Sequence, residues 1–412
     1  MSAASADRDY RIKDGPWAGA WKIALGVGVV GLGASLAGGG GDPTHRFAFS
    51  YLFAFAFFLT LALGSTFFVL LQHVTSAGWS VVVRRVAEFF MSALPVMALL
   101  FIPVAMNVDS LYAAWVNAGH GQHGVVHEGG HTAGGEHGAP SGEHGTPAGE
   151  HGAPSHAEHG APTGHVEHGG PAHGVMSQEH IEHEAHSRVI ASKTTWYLYK
   201  EFFFARAIFY FLAWAFISWR LFKNSTEQDR TRDPKWTSRS QAMAPPSLFV
   251  MGLTLTFAAF DWYMSLEPSW YSTIFGVWHF AGSMVVTFAT ITLVTLSLRA
   301  RGHMGDAVSV EHFHDLGKLL FGFNCFWAYI AFSQFFLIWY AGIPEEVTFY
   351  HNRWSEGPWK NVSLLLPWLH FALPFWFLMS RNVKRNLSGL AAGAVLLWVM
   401  HLVEIYWLVM PN

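Results

Sequence analysis

The chain has 412 residues, of which 51% are hydrophobic and only 13% charged, and its formal net charge is −3. Apolar runs of 18 or more residues recur, and each is long enough to cross about 30 Å of hydrocarbon as a helix. The single cysteine excludes intrachain disulfides, CxxCH haem attachment and cysteine-ligated iron–sulfur clusters, and no Walker, nucleophile-elbow or HExxH motif occurs.

The predicted elements begin with a polar tail, residues 1–21, which contains acids and no apolar core near its start. We therefore expect no cleavable signal peptide. Nine apolar runs follow and predict an all-α polytopic membrane protein. The predicted spans are residues 22–40, 47–74, 87–107, 198–222, 246–265, 271–298, 317–341, 361–380 and 388–410.

The basic residues predict the orientation of these spans. With the N-terminus in the cytoplasm, eighteen Lys and Arg residues fall on the inner side and six on the outer side, and Arg206 lies within a span. Residues 1–21 are then a cytoplasmic tail, residues 22–107 hold the first three spans and residues 198–410 hold the other six. The segment 108–197 lies outside.

That outer segment has a composition unlike the rest of the chain, since 15 of the 24 histidines lie between His120 and His186. Its Gly and Pro content predicts a disordered insertion. Imidazole is a common metal ligand, so weak metal-binding candidates are His137, His144, His151 and His159. The alternative is a solvated linker without a ligand.

Ionisable groups inside apolar spans are costly and mark candidate functional sites. Five such groups from four spans have similar predicted depths: Asp261, His279, His370, His401 and Glu404. His401 and Glu404 are three residues apart and share one helix face. For His370 a hydrogen-bonded core histidine is the alternative, whereas an unpaired Asp261 or Glu404 at that depth is hard to explain structurally.

A second predicted group lies near the cytoplasmic edge and consists of His73, Glu88 and Lys318. An ion pair with Arg84 and Arg85 is the simpler interpretation of Glu88, and Lys318 can extend to the surface. The seventh span connects the two levels, and we predict that its polar side chains form a stripe that bridges them: Tyr329, Ser333 and Gln334.

Several long blocks also carry a family resemblance: AGWSVVVRRVAEFFMSALP, FDWYMSLEPSWYSTIFG, HDLGKLLFGFNCFWAYIAFSQFFLIWYAGIPEE and EIYWLVMP. In that order they resemble the second polysulfide-reductase-like (NrfD-like) integral membrane subunit of bacterial alternative complex III, a quinol:cytochrome c oxidoreductase. The resemblance covers nearly the whole chain except the N-terminal tail and the His-rich insertion.

The resemblance implies a pair of four-helix bundles in the bacterial inner membrane, with no redox cofactor in this subunit and quinol as substrate of the complex. The implied partners are a related quinol-binding membrane subunit and periplasmic iron–sulfur and c-type cytochrome subunits. The family's polar blocks coincide here with Asp261, Glu267, His279, Lys318, Tyr329, Ser333, Gln334 and Glu404. Such subunits usually have a tenth span, so a truncation after Asn412 is left open, and the His-rich tract is unusual for them.

The leading hypothesis is a cofactor-free subunit with a proton route. The route runs from an outer cluster to the cytoplasmic group of His73, Glu88 and Lys318, and the outer cluster consists of Asp261, His279, His401 and Glu404. One rival is a quinol-binding subunit that uses Asp261 and His279 as proton acceptors. Further rivals are a metal transporter with a His-rich loop, haem b between facing histidines, and a purely structural subunit. Whether the chain is itself catalytic is left open.

Overall fold

The structure, a computed structural model, describes residues 19–39, 46–120, 189–304, 307–354 and 357–412. Every regular element within these ranges is a helix. Eight stretches of the described chain are long and apolar enough to cross a membrane. The prediction of an all-α multi-pass membrane protein is confirmed.

The helices are numbered in chain order. They are α1 (Ala20–Gly39), α2 (Arg46–Val74), α3 (Val81–Met91), α4 (Leu94–Leu100), α5 (Ile102–Met106), α6 (Val108–Leu111), α7 (Ala113–His120), α8 (described over residues 189–196), α9 (Lys200–Thr231), α10 (Lys235–Trp262), α11 (Phe275–Ala300), α12 (Val310–Ala341), α13 (Pro344–Trp354), α14 (Trp359–Leu365), α15 (Leu373–Met379), α16 (Arg381–Arg385) and α17 (Leu387–Val409). A short 3₁₀ turn, Met264–Leu266, follows α10, and a π-helix, Leu366–Ala372, joins α14 to α15.

The eight candidate spans correspond to the last eight of the nine predicted ones. The first predicted span does form a helix, α1, which packs against α2 but is not among the eight. Several helices extend beyond the predicted ends; α9 continues to Thr231 and α10 begins at Lys235. Hydropathy marks only the apolar part of a helix, so these polar extensions were missed.

Prolines divide two of the spans into shorter helices. In the third predicted span, Pro95 and Pro103 occupy the first turns of α4 and α5. In the eighth, Pro367 begins the π-helix and Pro374 lies in the first turn of α15. Proline lacks a backbone N–H and is best tolerated where a helix begins. The chain therefore restarts its helix at each of these positions.

The eight spans form two groups of four. The first group consists of α2, α3–α5, α9 and α10, and the second of α11, α12, α14–α15 with the π-helix, and α17. The groups meet where α2 and α10 pack against α11, and α2 also contacts α17. The apolar stretches of α2 and α11 are the most buried of the eight candidate spans. This arrangement agrees with the predicted pair of four-helix bundles.

The interface between α2 and α11 depends on a glycine. A Cβ atom added to Gly64 would lie 2.5 Å from the carbonyl oxygen of Ser283 and would also meet the Thr287 hydroxyl. The backbone of α11 occupies this space, so a larger residue cannot be accommodated by a side-chain rotation. Small residues at helix contacts in membranes allow such close approach.

Gly64→Ala is expected to lower the free energy of unfolding by about 1–3 kcal/mol because it forces the two helices apart. Thermal or SDS-induced unfolding of the purified protein measures the change. Gly322→Ala, on α12, is the control because a Cβ there has nothing within 4 Å. If both variants unfold alike, the close packing at Gly64 is not needed for stability.

The insertion prediction is wrong at its start. Residues 108–120 are helical rather than disordered, and Tyr112 and Trp115 are buried. The Tyr112 hydroxyl donates a hydrogen bond to the Trp262 carbonyl oxygen at 3.0 Å. The Tyr112 hydrogen bond attaches this segment to α10. The Gly- and Pro-rich composition further along the chain hid the helical segment from sequence reasoning. The histidines His137, His144, His151 and His159 lie outside the described residues.

The insertion prediction is also wrong at its end, since residues 189–196 are helical and this segment is attached to the hairpin between α10 and α11. The Lys193 ammonium donates to the carbonyl oxygens of Pro268 at 2.5 Å and Trp270 at 3.3 Å and lies over the Tyr271 ring. Burial lowers the pKa of Lys193 to about 8. The turn formed by residues 265–268, here called the SLEP turn, is therefore fixed by Lys193, which lies near the end of the predicted insertion.

Candidate functional site

The centre of the second helix group contains a buried histidine–glutamate pair on α17. His401 and Glu404 are 1% and 2% exposed, and the His401 Nδ1 lies 2.9 Å from the Glu404 Oε2. Their three-residue spacing on the helix brings the side chains together, as the sequence predicted. The Trp327 indole N–H of α12 donates to the other carboxyl oxygen, Oε1, at 2.5 Å.

Hydrogen-bond geometry determines where a proton sits in this pair. The Thr60 hydroxyl donates its single hydrogen to the Phe57 carbonyl oxygen at 2.7 Å, so it accepts from the His401 Nε2 at 3.1 Å. His401 therefore carries a hydrogen on Nε2. The His401 Nδ1 and the Glu404 Oε2 are both acceptors unless a proton lies between them, so their contact requires a second proton. Either His401 holds it, as an imidazolium beside a carboxylate, or Glu404 holds it, as a carboxylic acid beside a neutral imidazole.

Two further histidines adjoin the pair. His370 is fully buried on the π-helix, its ring stacks on Trp327 at a centroid distance of 3.8 Å, and neither ring nitrogen has a hydrogen-bond partner. The Nδ1 of His279 on α11 also lacks a partner. Buried polar groups are rarely left unpaired, and π-helical turns are frequent at functional sites.

The approach of α11 to the pair again requires a glycine. Gly282 lies one turn after His279, and a Cβ atom there would lie 2.9 Å from the His401 Cε1 and 3.0 Å from the Glu404 Oε2. The helix is therefore in contact with both members of the pair. His279 and His370 interact electrostatically with His401 and Glu404, so the four groups predicted at one depth lie near one another, although the His279 ring itself packs against Tyr263 at 4.7 Å.

Sequence reasoning missed the polar residues that lead away from the cluster along α11. Ser283, Thr287 and Thr295 follow His279 at multiples of four residues, and all three are completely buried. The Thr295 hydroxyl has no partner, nor do the Thr292 hydroxyl and the side-chain amide of Asn324 on α12. The recurrence of Ser and Thr within an apolar run was the signal that would have revealed these residues.

Asp261 belongs to a different site. Its carboxylate accepts two hydrogen bonds from Arg206 of α9, both at 2.8 Å, and a third from the Tyr210 hydroxyl at 2.8 Å. The Arg206 guanidinium lies over the Tyr197 and Phe202 rings. The interpretation of Asp261 as an unpaired carboxylate is wrong, because a bidentate arginine neutralises it inside the first helix group.

On the predicted cytoplasmic side, Glu88 forms the expected ion pairs with Arg84 at 3.1 Å and Arg85 at 3.0 Å, and it also accepts from the Ser225 hydroxyl at 2.6 Å. Lys318 is more than half exposed and pairs with Asp315. His73 is 5% exposed and its Nδ1 has no partner. Of the three, only His73 presents an unsatisfied buried atom.

The predicted stripe on α12 does not face the cluster. Tyr329 is 66% exposed, and the Ser333 hydroxyl donates to the Tyr329 carbonyl oxygen on the outer face of the helix. Gln334 is buried, but it binds the Ser272 hydroxyl and the Tyr350 hydroxyl near the outer hairpin. On this helix Trp327 and Asn324 face inward, as Gln334 does, so the prediction chose the wrong face for Tyr329 and Ser333.

Arg353 forms a group of hydrogen bonds, named the arginine clamp, at the predicted outer end of the second helix group. Arg353 of α13 is 1% exposed and donates to both carboxyl oxygens of Glu267, at 2.9 and 3.0 Å. It also donates to the Phe349, Trp407 and Leu408 carbonyl oxygens. Burial lowers the pKa of the Arg353 guanidinium, and Glu267 opposes that shift. The clamp ties α13 to the SLEP turn and to α17.

A cavity of about 600 Å³ lies beneath this clamp, between α12, α13 and the π-helix. Its wall is mostly aromatic and aliphatic and includes Trp278, Cys325, Phe335, Leu366 and Trp407. Neither Asp261 nor His279, the pair predicted as a quinol site, lines it. Within the described residues, no group of three or more His, Cys, Asp or Glu side chains is arranged to hold a metal ion.

The fold and these buried clusters define an all-helical, multi-pass membrane protein with ionisable groups inside its helix groups. No protein-family model matches the sequence. A comparison with curated proteins gave no match either.

Proposed function

We propose that the protein is a membrane subunit of a quinol-oxidising electron-transfer complex of the alternative complex III kind, and that it conducts protons. The observation that carries the proposal is the His401–Glu404 pair. Its hydrogen bonds require one proton more than a neutral His401 and an ionised Glu404 would hold together. A buried site that holds one movable proton is the unit from which a proton route is built.

His370 and His279 are the candidates for exchange with this pair, because each interacts electrostatically with it and has an unpaired ring nitrogen. Buried water fits beside such atoms, since it satisfies polar groups that lack protein partners. Toward the predicted cytoplasmic side the unpaired amide of Asn324 and the hydroxyls of Thr292 and Thr295 continue the polar path. Tyr329, which is exposed, and Ser333, which is only partly buried, are not used in this route.

Under this proposal the subunit holds no redox cofactor, and quinol is oxidised elsewhere in the complex. The proposed partners are the related quinol-binding membrane subunit and the periplasmic iron–sulfur and c-type cytochrome subunits. The proposed location is the bacterial inner membrane with a cytoplasmic N-terminus. Affinity purification of the tagged chain from its native membrane is expected to yield a complex with c-type haem absorbance and quinol:cytochrome c activity.

Glu404→Gln is expected to uncouple proton movement from electron transfer in the whole complex. Oxidation of one quinol releases two protons for two electrons, so chemistry alone gives one proton per electron. In proteoliposomes, a pH-sensitive dye is expected to report more than one proton per electron for the parent complex and about one for Glu404→Gln, while electron transfer stays within about two-fold.

Glu311→Gln is the matched control, because Glu311 is an exposed carboxylate that pairs with Arg385 on the surface. Its proton-to-electron ratio is expected to equal that of the parent. A parent ratio of one, or an unchanged ratio in Glu404→Gln, would remove the case for proton conduction and leave a scaffold role.

A further inference from the structure

The cavity beneath the outer clamp has the shape and depth of one lipid chain. Its wall on α12 runs from Cys325 to Phe335, which is about 15 Å at 1.5 Å per residue. One leaflet of a bilayer has the same thickness, half of about 30 Å of hydrocarbon. Phe332 and Trp354 at its rim are 63% and 44% exposed, so the cavity opens toward the side where lipid lies.

The polar groups in the wall are nearly all engaged within the protein. Arg353 is held by Glu267 and three carbonyl oxygens, and Ser363 accepts from the Trp407 indole at 2.7 Å. The Trp327 indole donates to Glu404, and the Tyr350 hydroxyl accepts from Gln334. These groups are already paired and most of the remaining wall is apolar, which suits a hydrocarbon chain because it needs no hydrogen bond.

One buried donor is the exception. The indole N–H of Trp278 has no hydrogen-bond partner among the described residues, and this side chain is 4% exposed. Trp278 is the fourth residue of α11, at the end of the helix predicted to face outward. The ester carbonyls of a phospholipid lie at this boundary, where tryptophan is commonly found.

We propose that the cavity binds one acyl chain of a phospholipid from the leaflet on the predicted outer side, with an ester carbonyl accepting from the Trp278 indole. The chain fills the space between α12 and the π-helix, where Pro367 and Phe371 form part of the wall. This inference does not depend on proton conduction. Because Tyr329 and Tyr350 also line the cavity, a quinone head group is the competing occupant that the experiment has to distinguish.

Photocrosslinking tests the proposal. The full chain is placed in nanodiscs with phosphatidylglycerol that carries a diazirine near the end of one acyl chain, irradiated and analysed by peptide mass spectrometry. Adducts are expected to concentrate in residues 325–335 and 366–371. Ala328→Trp fills the cavity and is expected to reduce this yield at least five-fold. Leu337→Trp, at a 64% exposed position of the same helix, is the control and is expected to leave it unchanged.

A second variant keeps the test informative if Ala328→Trp does not fold. Trp278→Phe retains an aromatic ring and removes the N–H donor. The photolipid concentration that gives half-maximal labelling is expected to rise about three-fold in this variant. Adducts spread evenly over the exposed faces, or equal yields in all variants, would overturn the proposal. Displacement of the photolipid by a tail-less quinone, or by an equimolar prenylated quinone, would overturn it in favour of a quinone site.

Discussion

Replacing Arg206 by methionine is expected to lower the free energy of unfolding by about 3–5 kcal/mol, because it leaves the Asp261 carboxylate buried without its counter-ion. Asp261 is completely buried and loses two of its three charge-assisted hydrogen bonds in this variant. Only the Tyr210 hydroxyl remains. Thermal unfolding in detergent, followed by circular dichroism, measures the effect.

A double variant separates lost packing from the uncompensated charge. Arg206→Met with Asp261→Asn removes both charges and is expected to recover at least half of the lost stability, since neutral replacements of a buried pair are far less costly. Arg230→Met is the matched control, because Arg230 pairs with Glu227 on the surface at 74% exposure and such pairs contribute little. A double variant as unstable as Arg206→Met would show that the loss comes from packing.

Replacing Arg353 by lysine is expected to cost about 2–4 kcal/mol although it keeps the charge. A lysine has three donors on one atom and cannot reproduce the planar fork that spans Glu267 and the end of α17. The Trp407 carbonyl oxygen has no donor four residues later, because that residue is Pro411. Leaving this buried group unpaired accounts for much of the expected cost.

The readout for Arg353→Lys is again the unfolding midpoint, together with the protease sensitivity of α13, which is expected to rise. Arg385→Lys is the control, since Arg385 forms a partly exposed pair with Glu311 at 2.8 Å and caps no buried carbonyl. Equal midpoints for the two lysine variants would mean that the charge of Arg353 matters and its fork does not.

The spans could be predicted because a membrane helix needs a long apolar run, and depth along each span brought His279, His370, His401 and Glu404 together. The partner of Asp261 could not be predicted in the same way. Arg206 was recognised as lying within a span, but the two residues are 55 positions apart and nothing local specifies which helices pack together.

The inward face of α12 could not be predicted for a different reason. In a soluble helix the apolar face is the buried one, but lipid is as apolar as a protein core, so hydrophobicity does not distinguish the two faces of a membrane helix. Tyr329 and Ser333 share a face, as predicted, yet Tyr329 is exposed and Ser333 is only partly buried. The side chains that face inward, Trp327 and Asn324, needed their contacts with α17 and α11 to be recognised.

The packing of α2 has a consequence for the order of events during synthesis. α2 leaves the ribosome more than 200 residues before α11 and more than 300 before α17, and yet it supplies Gly64 to the first contact and Thr60 to the second. Until α11 and α17 insert, the face of α2 that carries Thr60 and Gly64 lacks these two partners. The His401–Glu404 pair therefore gains its contact with Thr60 only when α17 docks against α2, so in an incompletely inserted chain the pair lacks this hydrogen bond.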